Sequence, residues 1–320
     1  MFNLNFNQPK QEIFMKKSLI ILAISTAIGV TACAGIGKAI EQALAITEQK
    51  IAQVQTTAPL EKKYSQMGQY AVAVQKFDAQ DKELKTYTVY YPAGGGNYPL
   101  VVMVNGTGMA TSKYEAVLKH LASWGFVVIG SEEENSWSGQ GAGKSLNFAL
   151  TQNRTQGSVL FDKINAEKIG VAGHSQGGVG AINLAAQTPA VKSVYTASTT
   201  KHGLAELLKW PYDVSKVRVP YFMNAGAHES DAGDGKDYSK GIAPIMSLNE
   251  NFAKTSGAAV VAQRVAADHG SMLWQPNGYM TAWFLYTLNG DNQARQVFAG
   301  QNAEILNNGN WQNVKAKGLN

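Results

Sequence analysis

The residue best placed to do chemistry is Ser175, within Ile169-Gly170-Val171-Ala172-Gly173-His174-Ser175-Gln176-Gly177-Gly178-Val179-Gly180. An apolar run suited to a buried strand passes through a glycine-flanked serine into residues spaced for a helix. This is the G-x-S-x-G nucleophile elbow, in which a sharp, strained turn points the serine oxygen outward. A side chain at Gly173 or Gly177 would collide with its neighbours, and the following helix turns its amino end toward developing negative charge. With 32 glycines in the chain the bare pattern carries little weight. Its position between a strand and a helix, after several earlier strand and helix pairs, is what makes it specific.

The elements that must carry this serine can be traced along the chain. Residues 70–74 and 86–91 have the β-branched and aromatic bias of antiparallel strands and end at Pro92 and Gly94-Gly95-Gly96. Short, almost wholly apolar runs follow at 100–104, 126–129, 169–172, 191–195, 219–223 and 260–265, as expected of strands buried on both faces. Between them, residues 114–124, 144–150, 179–187, 238–254 and 279–288 place apolar side chains at helical spacing. The alternation predicts crossover units on a mainly parallel sheet flanked by helices, hence an α/β fold. No internal repeat and no boundary of a second domain is seen.

On these motifs, residues 69–300 resemble the α/β-hydrolase superfamily. The approach to the elbow, residues 164–175, resembles that of dienelactone hydrolases, platelet-activating-factor acetylhydrolases and bacterial cutinase-like polyester hydrolases. The G-H-S-M-G-G of the cutinase-like group reads Gly-His-Ser-Gln-Gly-Gly here, a departure at Gln176 that leaves the subfamily open. The resemblance implies an α/β-hydrolase fold without a large lid and a fairly open site, with residues 197–216 the one stretch able to form a small cap.

A serine hydroxyl needs a histidine to take its proton and a carboxylate to orient that histidine. The superfamily's chain order is serine, acid, histidine. That order sets aside His120 and also His174, which reads as a packing residue in the elbow. His269, in Ala266-Ala267-Asp268-His269-Gly270-Ser271, follows the last of these strands and precedes a helix, where the family carries its base. His202 and His228 read as surface loop residues. The acid is expected after strand 219–223, in Asn224-Ala225-Gly226-Ala227-His228-Glu229-Ser230-Asp231-Ala232-Gly233-Asp234. Asp231 is favoured because Asp-Ala-Gly suits a tight loop end, but Glu229 is a rival at fitting spacing from Gly226, and Asp234 also competes. Asp268 adjoins His269 in the chain and is expected to point elsewhere. The resemblance implies an oxyanion hole from the backbone N–H groups of Gln176 and Thr107, the latter in the turn Asn105-Gly106-Thr107-Gly108-Met109.

The chemistry so implied is hydrolysis of a small-molecule or polymeric carboxylic ester through an acyl-enzyme. Amide cleavage, acyl transfer and a non-catalytic binding module remain as alternatives. No metal-ligand spacing and no phosphate-binding glycine loop occurs, so neither metal nor cofactor is expected. Nor does any basic, aromatic-interleaved run suggest nucleic acid. A monomer is the simplest assembly.

The first residues point to export. Lys16-Lys17 precedes an apolar stretch, 18–32, that is shorter than the roughly 20 residues of a membrane span and reads as a signal peptide. Met15 is the expected start. Val30-Thr31-Ala32-Cys33 resembles the bacterial lipobox, which implies acylation of Cys33 and a membrane-anchored lipoprotein. The division expected is thus a leader over 1–32, a lipid-anchored tether over 33–66 with a short helix through Ile36, Ile40 and Leu44, and a catalytic domain over 67–320. Removing Lys10, Lys16, Lys17 and Glu12 with the leader lowers the formal net charge from +5 to +3, so the exported chain is only mildly basic. Cys33 is the single cysteine. The domain therefore holds no internal disulfide and depends on its core.

Overall fold

The apolar runs pair as strands, and their side chains alternate between two cores. The computed structural model describes residues 46–234 and 239–319. Its strands are β1 (Val72–Asp78), β2 (Thr86–Pro92), β3 (Tyr98–Val104), β4 (Val127–Ser131), β5 (Ile164–His174), β6 (Val191–Ala197), β7 (Tyr221–Gly226), β8 (Ala259–Arg264) and β9 (Trp311–Lys317). They form one sheet in the order β1-β2-β4-β3-β5-β6-β7-β8-β9. The pairs from β4 through β8 are parallel, while β1 and β2 at one edge and β9 at the other are antiparallel. This is the expected α/β-hydrolase architecture.

β3 is buried at all seven positions. Val101 and Met103 face one core, and Leu100, Val102 and Val104 face the other, the two-residue period of a strand covered on both sides. The first core is closed by α3 (Glu115–Ser123), α9 (Asn277–Asn289) and α10 (Asn292–Phe298), with Leu118, Trp283 and Phe298 buried. The second is closed by α4 (Gln140–Gln152), α5 (Gln176–Gln187) and α8 (Ile245–Lys254), through Leu146, Ile182 and Leu248. Among the described residues of the helix expected over 238–254, only α8 is helical, because Gly241 takes a left-handed turn and Pro244, in extended conformation, precedes the first helical residue. Residues 197–216 hold a short helix, α6 (His202–Leu207), and one 3-10 turn, Val214–Lys216. The sequence reading did not anticipate α10, a short α11 (Glu304–Asn307) or β9. β9 is an edge strand whose side chains are mostly exposed, so it carries little apolar pattern.

Of the expected leader and tether, residues 46–66 lie among the described residues. Leader residues 1–32, Cys33 and the helix-spaced Ile36, Ile40 and Leu44 lie outside the described residues. Residues 46–66 pack with the residues that follow them. Two helices, α1 (Glu48–Ala52) and α2 (Pro59–Ser65), bury Ile51 and Tyr64 in the first core. Glu61 is the anchor. Only 1 % exposed, it forms an ion pair with Arg264 at the end of β8 and accepts hydrogen bonds from Trp311 Nε1 (3.0 Å), Asn308 Nδ2 (2.9 Å) and Asn310 Nδ2 (3.0 Å). Burial pushes the Glu61 carboxyl up, but Arg264 and the side-chain donors outweigh it and hold it below the usual carboxylate range. A polar-looking segment is thus held by a buried ion pair together with the buried Ile51 and Tyr64.

Removing one partner of a buried pair strands the other charge. Glu61→Ala should lower the unfolding free energy by about 3–5 kcal/mol in urea titrations, and the Glu61→Ala, Arg264→Met double variant should lose less. A chain beginning at residue 67 should show a comparable deficit.

Candidate active site

β5 ends at His174 and α5 begins at Gln176, which leaves Ser175 alone on the turn with φ 59° and ψ −120°. A left-handed φ is costly for a residue with a side chain and marks a site held by its surroundings. Crowding explains the flanking glycines. A Cβ on Gly173 would lie 2.1 Å from the Gly177 carbonyl oxygen, and one on Gly177 would lie 2.1 Å from that of Val104. Ser175 itself is partly exposed.

The structure separates the competing acids. Asp231 sits on α7 (Glu229–Ala232), just beyond β7, and is 0 % exposed. Its Oδ1 accepts a hydrogen bond from His269 Nδ1 at 2.6 Å. Its Oδ2 accepts from the Gly226 N–H at 2.7 Å and from the Ser198 hydroxyl. Glu229 is exposed, and Asp234 is exposed and pairs with Lys240 at 2.7 Å. Asp268 turns to the Ser271 N–H at 2.7 Å, away from the ring beside it in sequence. Of these acids, Asp231 is the one the fold brings to His269.

His269 follows β8, its backbone N–H donating to Ser230 Oγ at 2.9 Å. The bond from Nδ1 to Asp231 fixes the orientation of the ring. His174 does more than pack. Its Nε2 donates to the His269 carbonyl at 2.8 Å, and the two rings lie 4.6 Å apart. Burial, reinforced by His269, pulls the His174 ring down to about 3, so it stays neutral and serves as a fixed donor. The other histidines diverge from the sequence reading in one case. His228 is exposed beside α7, as expected. His202 is a helical residue stacked on Tyr212 at 4.0 Å rather than a surface loop residue.

The turn after β3 lies against the elbow. A Cβ on Gly106 would be 3.1 Å from His174 Nδ1 and 3.6 Å from Ser175 Cβ, and the Met109 N–H closes the turn on the Gly106 carbonyl at 3.0 Å. Thr107 is exposed at its tip. Gln176, by contrast, is fully buried, and its Oε1 accepts the Ser136 N–H at 2.8 Å. The Ser136 hydroxyl donates to the Asn105 carbonyl, so Ser136, through its backbone N–H and its hydroxyl, joins the residue after the serine to the residue before Gly106. Asn105 Nδ2 donates to the carbonyls of Ser131 (2.7 Å) and Glu133 (2.9 Å), and its Oδ1 accepts from Thr111 and Tyr114 hydroxyls. Sequence reasoning missed Ser136, Ser198, Thr111 and Tyr114. Only a signal of three-dimensional proximity could have found them, since none belongs to a motif.

Among the described residues, no group of three His, Cys, Asp or Glu side chains is arranged to hold a metal ion, and no helix is long and apolar enough to cross a membrane.

Glu133, beneath this network, is nearly buried, and burial first, then the carboxylates of Glu83 and Asp81, push it up to about 7. A carboxyl with a raised folded pKa binds more protons folded than unfolded, so stability falls as pH rises from its unfolded value near 4.5 to about 7. Glu133→Gln should therefore leave the melting temperature nearly unchanged at pH 4.5 and raise it by about 2–5 °C at pH 8, read by circular dichroism.

Residues 51–310 match the family model described as PETase, PET hydrolase-like. Cutinase 2 of Thermobifida cellulosilytica is 30% identical over 220 residues, covering 65% of this chain and 76% of that protein. Cutinase est2 of Thermobifida alba is 32% identical over 108 residues, 33% of this chain and 36% of that one. Chlorophyllase-1 of Citrus sinensis is 29% identical over 100 residues, 29% of this chain and 30% of that one. The chain thus spans about a third of the length of the last two relatives. The family match begins at residue 51, inside the segment that the sequence reading assigned to the tether and that the fold packs onto the core. From the elbow, the sheet and this match over most of its length, the chain belongs to the PET hydrolase-like family.

Proposed function

We propose that the protein is a serine hydrolase that cleaves carboxylic esters through Ser175, His269 and Asp231. The observation that carries this reading is the 2.6 Å contact between the buried Asp231 carboxylate and His269 Nδ1, at the carboxyl ends of the parallel strands, where the strained Ser175 turn also lies. Asp231 fixes the imidazole tautomer and stabilises the imidazolium. Ser175 Oγ attacks the ester carbonyl carbon while its proton passes to His269 Nε2. The oxyanion that forms is held by the backbone N–H groups of Thr107 and Gln176. Collapse breaks the bond to the alcohol, which leaves with the proton from His269. Water then attacks the acyl-enzyme, giving its proton to His269, and the acid departs as Ser175 is restored. The cycle balances without metal or cofactor.

The substrate is a small-molecule or polymeric ester. The cutinase relatives support this class, as do the partly exposed Ser175 and the exposed Thr107 turn. The protein works as a monomer and has no nucleic-acid partner. Residues 1–32 act as an export leader, and acylated Cys33 anchors the mature protein to a membrane.

Hydrolysis of p-nitrophenyl esters from acetate to palmitate tests the mechanism. Ser175→Ala should abolish turnover and labelling by a fluorophosphonate. Asp231→Asn should lower kcat by about 10³–10⁴-fold, whereas Glu229→Gln should stay within about twofold. A parent chain inert to every ester and to the phosphonate would instead indicate a binding module. For the anchor, the full chain expressed in a bacterium should sediment with membranes and the Cys33→Ser variant should not.

A further inference from the structure

Between the strand that ends in the nucleophile and the strand that leads to the acid lies β6, and the turn that leaves it touches both. Ala197, its last residue, accepts the Ser175 N–H on its carbonyl at 3.0 Å, and the Thr200 N–H reaches the Ser175 carbonyl at 3.4 Å. On the other side, the Ser198 N–H donates to the Asn224 carbonyl of β7 at 2.7 Å. Ser198 is 0 % exposed and holds φ at 53°, a left-handed conformation unfavourable for any residue but glycine. That backbone, fixed at both ends by its neighbours, aims the Ser198 hydroxyl at Asp231 Oδ2. The sequence places a serine where glycine would relieve the strain. What the serine adds is a hydroxyl.

We infer that Ser198 is a positioning residue of the site, holding the Asp231 carboxylate in the orientation that presents Oδ1 to His269 and tying that orientation to the Ser175 elbow. A buried carboxylate accepts hydrogen bonds on both oxygens, and bonds to an ionised acceptor are the strong ones. Here Oδ2 has two donors, the Gly226 N–H and the Ser198 hydroxyl, and Oδ1 has His269. With both donors in place the carboxylate cannot rotate about its Cβ–Cγ bond without giving up two bonds besides the one to His269. With the backbone N–H alone, one bond besides that to His269 resists the rotation. The alignment of His269 then loosens while the substrate-binding surface stays as it was. The inference rests on the proposed ester hydrolysis, since it acts through that reading's acid and base.

The test compares Ser198→Gly and Ser198→Ala with the parent and with Asp231→Asn. Glycine suits the left-handed backbone, so Ser198→Gly removes the hydroxyl and keeps the turn. Both variants should melt close to the parent, with kcat for p-nitrophenyl butyrate down about tenfold and KM within about twofold, the pattern of an interaction used in the transition state. The downfield proton resonance of His269 Nδ1–H should shift in both. The inference is overturned if Asp231→Asn is impaired while Ser198→Gly keeps the parent's kcat and its His269 resonance, or if both Ser198 variants change KM alone. If Asp231→Asn turns over like the parent, the acid assignment itself fails, which is a separate result from an inert Ser198.

Discussion

A carboxylate placed entirely out of water must be surrounded by donors, and at Asp231 donors from three places in the chain meet an acid carried by a fourth. Gly226 closes β7, Ser198 leaves β6, His269 follows β8, and α7 carries the aspartate itself. None of these is close to another in sequence except Gly226 and Asp231. Satisfying one buried charge therefore requires that three adjacent parallel strands end in register. The neighbouring strand end follows, because Ala197, beside Ser198, takes the backbone N–H of Ser175 just beyond β5. Loss of that register would leave a buried charge without partners, at a cost no single apolar contact offsets.

The elbow rests on a different constraint, that of space. Gly173 and Gly177 allow α5 to approach β5 and the turn after β3 more closely than any side chain permits, and that approach holds Ser175 in its left-handed conformation. The same proximity brings Gly106 against His174 and Ser175. Gln176, Ser136 and Asn105 then link the neighbouring loops by hydrogen bonds rather than by packing. Polar networks of this kind are stabilising only when their members are paired, which makes them a source of rigidity where electrostatic catalysis needs fixed dipoles.

Away from this edge, a second buried charge organises the amino-terminal segment. Glu61 gathers Arg264, Trp311, Asn308 and Asn310, and so joins α2 to β8, β9 and the stretch between α11 and β9. Because Arg264 is the last residue of β8, this ion pair fixes the strand whose continuation carries His269. Stability and geometry thus meet at the same carboxyl end of one strand.

Much of this was legible in the sequence. Short apolar runs separated by helical spacing identify a parallel sheet, since strands covered on both faces have no polar side to show. G-x-S-x-G at a strand-to-helix change identifies Ser175, and the position of His269 after the last parallel strand follows from the chain order of the superfamily it resembles. These are local signals, set by residue type and spacing. What the sequence left open were matters of proximity. Asp231, Glu229 and Asp234 have the same chemistry within six residues, and only burial and the direction of α7 distinguish them. Residues 46–66 look like a polar tether until Glu61 meets Arg264 more than two hundred positions later. Ser198, Ser136 and the edge strand β9 carry no motif, because their roles come from what the fold places beside them. Patterns of hydrophobicity and glycine determine which elements form; which polar groups meet is decided by how those elements pack, since a hydrogen bond depends on ångström distances that no linear spacing encodes.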